Sequence, residues 1–169
     1  MFDVLYICAS FNRSFSYYLM PQSLSRVFVH IVFSTKHRQP FMDLAIQPCL
    51  FAYMARICTE FDCPPVRIGG YYDHVHILCL LSRKITLADL LEDVKKHSSK
   101  WVKTQGEQYT NFYWQNGYGA FSVNPKQEGV VCQYIDNQFF HHEKKDFKTE
   151  FREFLHQYEV EYDERYVWD

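Results

Sequence analysis

The chain has 169 residues, 47% of them hydrophobic and 18% aromatic, with a formal net charge of −2. That length and apolar fraction suit one folded domain with a real core and exclude a disordered chain. The balanced charge excludes a uniformly basic nucleic-acid binder, and no segment approaches the roughly 20 apolar residues of a membrane span.

Residues 1–19 carry Phe, Tyr and Cys without periodicity, and Asp3 and Arg13 interrupt the apolar stretch. With no basic leader or small-residue cleavage site, they do not read as a secretory signal. They are expected to be an N-terminal extension, with Met20-Pro21-Gln22 as the functional beginning and residues 20–169 as a single domain. Six cysteines (Cys8, Cys49, Cys58, Cys63, Cys79, Cys132) form no C-x-x-C pair. They are expected to be reduced, buried thiols of a cytoplasmic protein, and a zinc site on Cys58 and Cys63 would lack a second pair.

Arg26 to Thr35 is β-rich and closes on a basic loop, Lys36-His37-Arg38-Gln39-Pro40. Leu44 to Phe61 has apolar residues at helical spacing, and Pro64-Pro65 ends that helix because proline cannot continue the hydrogen-bond ladder. Val66 to Gly70 is expected to be a strand with a Gly-Gly kink, paired antiparallel with the next strand, Tyr72 to Leu81. Thr86 is a candidate N-cap with Asp89 in the capping-box position of a second helix that runs to about Lys103. Phe112 to Val123 is expected to be a last strand bent by Gly117 and Gly119. Pro125 suits the first turn of a third helix that continues to about His142, and Phe147 to Tyr158 is a final amphipathic helix. The order predicts a ferredoxin-like α+β fold: an antiparallel sheet with two helices on one face, then a C-terminal helix carrying Tyr134.

Charge is unevenly distributed. Residues 20–104 hold eleven Lys and Arg against seven Asp and Glu, whereas residues 143–169 hold five against nine. A basic body with an acidic tail can present a positive groove.

His74 and His76 are two apart on a strand, so their imidazoles project from one face of the sheet. A buried polar pair is costly unless something satisfies it, either hydrogen bonding or a bound metal ion. Farther along, Tyr134 and Gln138 are four apart on the third helix and share a face. A phenol, with pKa near about 10, is a modest nucleophile. Against a phosphodiester it needs a metal to polarise the phosphate and neutralise developing charge.

The runs Asp73-His74-Val75-His76 and Tyr134-Ile135-Asp136-Asn137-Gln138 closely resemble the single-tyrosine HUH transposases of small bacterial insertion sequences, the insertion-sequence 200-like transposases. The resemblance extends to Val29–Lys36, Ser98-Ser99-Lys100-Trp101, Trp114–Val123 and Asp163–Asp169. It implies a DNA transposase that cleaves and rejoins single-stranded DNA with hairpin ends through a 5′-phosphotyrosine intermediate. It further implies Tyr134 as nucleophile, His74, His76 and Gln138 as ligands of Mg²⁺ or Mn²⁺, and a homodimer in which the tyrosine helix often serves the partner's site. Imidazole alone would favour zinc over Mg²⁺; the resemblance decides for Mg²⁺ or Mn²⁺. Two other readings stand beside it: a domesticated relative acting on genomic palindromic repeats, and a non-catalytic hairpin-binding protein.

Lys36, Arg38, Lys95, Lys96 and Lys100 are candidate phosphate contacts. Tyr113, Trp114 and Tyr118 are candidates for stacking on unpaired bases, with core packing expected of at least one. His30 is expected to be structural, with a place beside the metal site if its face matches. His141 and His142 are expected at a solvated helix end.

Overall fold

A computed structural model describes residues 24–168. The expected extension over residues 1–19 and the start at Met20 lie outside the described residues.

Strand β1 (Phe28–Ser34) is buried at every position, which accounts for apolar residues on both of its faces, with His30 and Ser34 the polar exceptions. It pairs antiparallel with β3 (His74–Leu80) on one side and β4 (Gly119–Val123) on the other, and β3 pairs with β2 (Pro65–Gly70). The resulting order, β2-β3-β1-β4, is that of the expected ferredoxin-like sheet. Helix α1 (Gln47–Glu60) connects β1 to β2, and α2 (Leu87–Lys103) connects β3 to β4.

Helix α1 starts later than its apolar spacing suggests. The Asp43 carboxylate accepts the backbone N–H groups of Ala45 and Ile46, so the chain turns there before the helix begins. Helix α2 starts as expected, with Thr86 accepting the N–H of Asp89 at 3.1 Å and donating its hydroxyl to the Asp89 carboxylate at 2.6 Å.

The strand alternation sorts the core. Val29, Ile31 and Phe33 of β1 and Val75, Ile77 and Cys79 of β3 meet Leu50, Met54 and Ile57 of α1 and Leu90, Leu91 and Val94 of α2. The alternate residues on those strands, His30, Val32, His74, His76 and Leu78, therefore point to the opposite face. That face is covered too, by α3 (Glu128–Asp136), α4 (Gln138–His142) and α5 (Phe147–Gln157). Ile135 of α3 packs with Phe28, Leu78 and Val123, and Phe147, Phe151 and Leu155 of α5 pack with Val32 and Phe121.

Two expectations are corrected. The last strand is five residues long, not twelve, because Lys95 of α2 donates to the carbonyls of Gln115, Asn116 and Gly117 and curls that stretch into a loop. The third helix is not continuous. Asn137 leaves helical geometry (φ −96°, ψ 15°) where its side-chain amide and its backbone N–H both take the carbonyl of Gln133, so α3 and α4 are separate helices.

Gly69 lets α3 lie close on the sheet edge. A Cβ there would come within 2.7 Å of Ile135 Cγ2 and 3.0 Å of the Ile135 carbonyl oxygen.

Candidate functional site

His74 and His76 are fully buried on the face beneath α3, α4 and α5. In the sheet register His74 lies opposite Ser34 and His76 opposite Val32. His30, two residues before Val32, reaches diagonally so that its Nε2 lies 3.0 Å from His76 Nδ1. On the other side, His74 Nδ1 donates to the Asp73 carboxylate at 2.7 Å. Each ring is thus held by its Nδ1 edge and turns its Nε2 edge toward α5. Partners of this kind fix the tautomer and orientation of metal-binding histidines.

Four groups from the C-terminal helices meet those edges. Gln138, the first residue of α4, is buried, and its Oε1 lies 3.0 Å from His74 Nε2. One turn on, His142 Nε2 lies 3.0 Å from the same oxygen, while its Nδ1 donates to the Lys145 carbonyl at 2.7 Å. Glu150 of α5 stands at the centre with 2% of its surface exposed. Its Oε1 accepts hydrogen bonds from the Tyr134 hydroxyl and, at 3.1 Å, from the Gln138 amide. Its Oε2 lies 3.2 Å from His142 Nε2 and 3.6 Å from His74 Nε2. The Tyr134 ring meets His76 edge-on with centroids 5.8 Å apart.

Burial sets the protonation of the cluster. It holds His30 down to about 4 and His142 to about 4, the latter helped by His74. His76 is held well below its ordinary value by burial and by the neighbouring imidazoles. Burial, with the Asp73 and Glu153 carboxylates nearby, pushes Glu150 up to about 8. His30, His76 and His142 are therefore neutral at physiological pH, the form in which imidazole binds a metal.

The residues fit a divalent ion. His76 Nε2 and Glu150 Oε2 are buried without a hydrogen-bond partner, a costly arrangement that a cation relieves. Ligand atoms of His74, His142 and Glu150 lie within 4.8 Å of one another. Sequence reasoning placed His141 and His142 at a solvated helix end. His142 instead belongs to the cluster, because it lies one turn after the buried Gln138 on the face that α4 turns to the sheet. Glu150 was missed altogether. Its signal was a carboxylate on the apolar stripe Phe147, Phe151, Leu155 of an otherwise amphipathic helix.

The candidate phosphate contacts are dispersed. Lys36 is exposed in the loop after β1, at the sheet end that holds His74, and Arg38 there is half-buried with a positive φ of 55°. Lys95 is engaged by three carbonyls, and Lys96 and Lys100 are exposed on α2, across the sheet from the histidines. Among the aromatics, Trp114 is core and donates its indole N–H to Ser98 at 2.9 Å, whereas Tyr113 and Tyr118 are exposed. A groove of about 540 Å³ opens beside the nucleophile candidate, lined by Val130, Tyr134, Asn137, Phe140, His141 and Lys144. The thiols of Cys58 and Cys79 are pushed up to about 12 by burial, and that of Cys63 is raised as well, so all three stay protonated, unlike zinc-binding cysteines.

No helix among the described residues is long and apolar enough to cross a membrane. The sequence profile of the family described as "Transposase IS200 like" matches residues 23–138. No curated protein matches the chain significantly. The fold is similar to that of a candidate transposase from Deinococcus radiodurans R1, with TM-score 0.56 and 19% identity over 70% of this chain and 95% of that one. It is also similar to a REP-associated tyrosine transposase bound to a REP hairpin, with TM-score 0.54 and 13% identity over 69% of this chain and 68% of that one.

Proposed function

Because the chain belongs to the IS200-like transposase family, we propose that it cleaves and rejoins single-stranded DNA at insertion-sequence ends, with Tyr134 as the nucleophile. The observation that carries this reading is the convergence of Tyr134, His74, His76 and Gln138 around one buried point.

In the proposed reaction the Tyr134 oxygen bonds to the phosphorus and the 3′ oxygen leaves. The strand's 5′ phosphate stays on the tyrosine and a 3′ hydroxyl is released. Attack by a 3′ hydroxyl reverses the step, so the energy of the broken bond is kept for rejoining. Glu150 accepts the Tyr134 hydrogen bond and is placed to take the phenolic proton. His74, His76 and Gln138 would hold Mg²⁺ or Mn²⁺, which when bound supplies polarisation of the phosphate and neutralises developing charge. Asp73 and His30 orient the two imidazoles for that task.

The groove beside Tyr134 offers the exposed Phe140 ring for a base and Lys144 for a phosphate. The likeness to a hairpin-bound enzyme supports hairpin DNA as the substrate class. The proposed working unit is a homodimer. Tyr134 lies against His76 of its own chain, which favours each chain serving its own site.

The test is strand cleavage of end-labelled single-stranded DNA carrying an imperfect hairpin, with Mg²⁺, Mn²⁺ or a chelator. Metal-dependent cleavage supports the reading. Tight hairpin binding without cleavage under every metal condition would favour the non-catalytic alternative. Mixing His76→Ala with Tyr134→Phe chains tests the placement of the tyrosine: restored cleavage would show that it acts on the partner's site.

A further inference from the structure

We propose that His142 and Glu150 join His74 as ligands of a divalent ion in the DNA-free protein, so that helices α4 and α5 complete a metal site begun by the sheet. The inference rests on the reading of the histidine face as a metal centre and extends it to two residues outside the two-histidine, one-glutamine set.

The Lys145 carbonyl can only accept, so the 2.7 Å contact places a proton on His142 Nδ1 and leaves its Nε2 as a lone pair. The Asp73 carboxylate likewise accepts from His74 Nδ1, so the lone pair of the metal-binding form of that ring lies on Nε2. Both lone pairs face Gln138 Oε1 at 3.0 Å, which is itself an acceptor. They also face Glu150 Oε2, which is buried and has no hydrogen-bond partner. The other nearby polar groups face the far oxygen of Glu150, Oε1, and His141 Nε2, without a hydrogen-bond partner, lies 3.5 Å from that Oε1. The Gln138 amide and the Tyr134 hydroxyl both go to the other carboxylate oxygen, Glu150 Oε1. With Glu150 ionised, four electron-rich atoms converge on one point; a proton on Glu150 Oε2 would meet one imidazole at a time, whereas a cation at that point satisfies all four.

The spacing along α4 and the register of α5 build this arrangement. Gln138 and His142 are one turn apart on α4 and so face the same way. Glu150 sits between Phe147 and Phe151 on the buried side of α5, and the Phe147 ring stacks on His74 with centroids 4.6 Å apart. A carboxylate held in such apolar company is costly unless a cation meets it. The donor set of imidazole nitrogens, a carboxylate and an amide oxygen suits Mn²⁺, Co²⁺ or Zn²⁺ better than Mg²⁺. Glu150 then links the ion to the nucleophile, since one of its oxygens faces the imidazoles while the other holds the Tyr134 hydroxyl.

The experiment is Co²⁺ titration of the full chain without DNA, read by visible absorption and by calorimetry. The wild type should bind one ion with a ligand-field spectrum typical of mixed nitrogen and oxygen donors. Glu150→Gln and His142→Gln should each weaken binding at least tenfold and change the spectrum, and excess Mg²⁺ should not displace Co²⁺. Circular dichroism establishes that the variants fold, and Glu150→Asp, which keeps the charge on a shorter stem, replaces Glu150→Gln if that variant does not. Wild-type affinity and spectrum in both variants, with binding lost in His74→Ala, would overturn this inference while leaving the metal centre in place. Unchanged binding in His74→Ala would overturn the metal centre itself.

Discussion

The hydroxyl of Tyr134 donates to Oε1 of Glu150, joining the nucleophile candidate on α3 to the one buried acid among the described residues, on α5. The two are 16 positions apart in sequence and belong to different helices. Helix α5 therefore does more than cover the sheet. It presents a proton acceptor to the phenol in surroundings that push that acceptor up to about 8, nearer to the phenol than an ordinary carboxylate. At saturating Mn²⁺, Glu150→Gln should slow single-turnover cleavage by about 100-fold or more, the usual range for loss of a positioned base. An unchanged rate under those conditions would remove Glu150 from the proton path.

Asp73 acts through His74. Its carboxylate fixes the ring by accepting from Nδ1, so Asp73→Asn should weaken divalent-ion affinity by about 10- to 100-fold while the fold persists. Calorimetry with Mn²⁺ measures this directly, and His74→Ala sets the limit of complete loss.

Lys95 is a structural residue in this fold. Its ammonium donates to three carbonyls and lies 4.8 Å from the centre of the Phe33 ring. Replacement by Met strips those carbonyls of their partner and should cost on the order of 1–3 kcal/mol. Burial also lowers its pKa from 10.5 to about 8. The folded chain then carries fewer protons than the unfolded chain between those two values, so this residue's contribution to stability rises with pH across that window. Melting curves should show the wild type gaining on Lys95→Met from pH 8 to pH 10.

Gly69 sets the seat of the tyrosine helix. A methyl group there meets both the side chain and the carbonyl of Ile135, the residue next to Tyr134. Gly69→Ala should push α3 outward by a few tenths of an ångström and lower the cleavage rate about tenfold, with little loss of ion binding. Equal rates for the two proteins would mean that α3 tolerates the displacement.

How much of this was legible in the sequence follows from the range of each interaction. The histidine strand, the Thr86–Asp89 cap and the ferredoxin-like order depend on local periodicity and on turn chemistry, and the sequence carries both. The five-residue β4 does not, because its early end is set by Lys95, which reaches across from α2. The break between Tyr134 and Gln138 is local, but it turns on one Asn side chain competing for a backbone carbonyl inside an apolar-periodic run. His142 and Glu150 became visible only when α4 and α5 folded back over the sheet. Helical spacing places residues on a face and says nothing of which surface that face will meet.

The most direct test of the account is to map the covalent product. Wild-type protein is incubated with hairpin-bearing single-stranded DNA and Mn²⁺, digested, and analysed by peptide mass spectrometry beside Tyr134→Phe. The account predicts a DNA-linked peptide containing Tyr134 in the wild type and no adduct in the variant. An adduct that persists in Tyr134→Phe, or that maps to another residue, would contradict it.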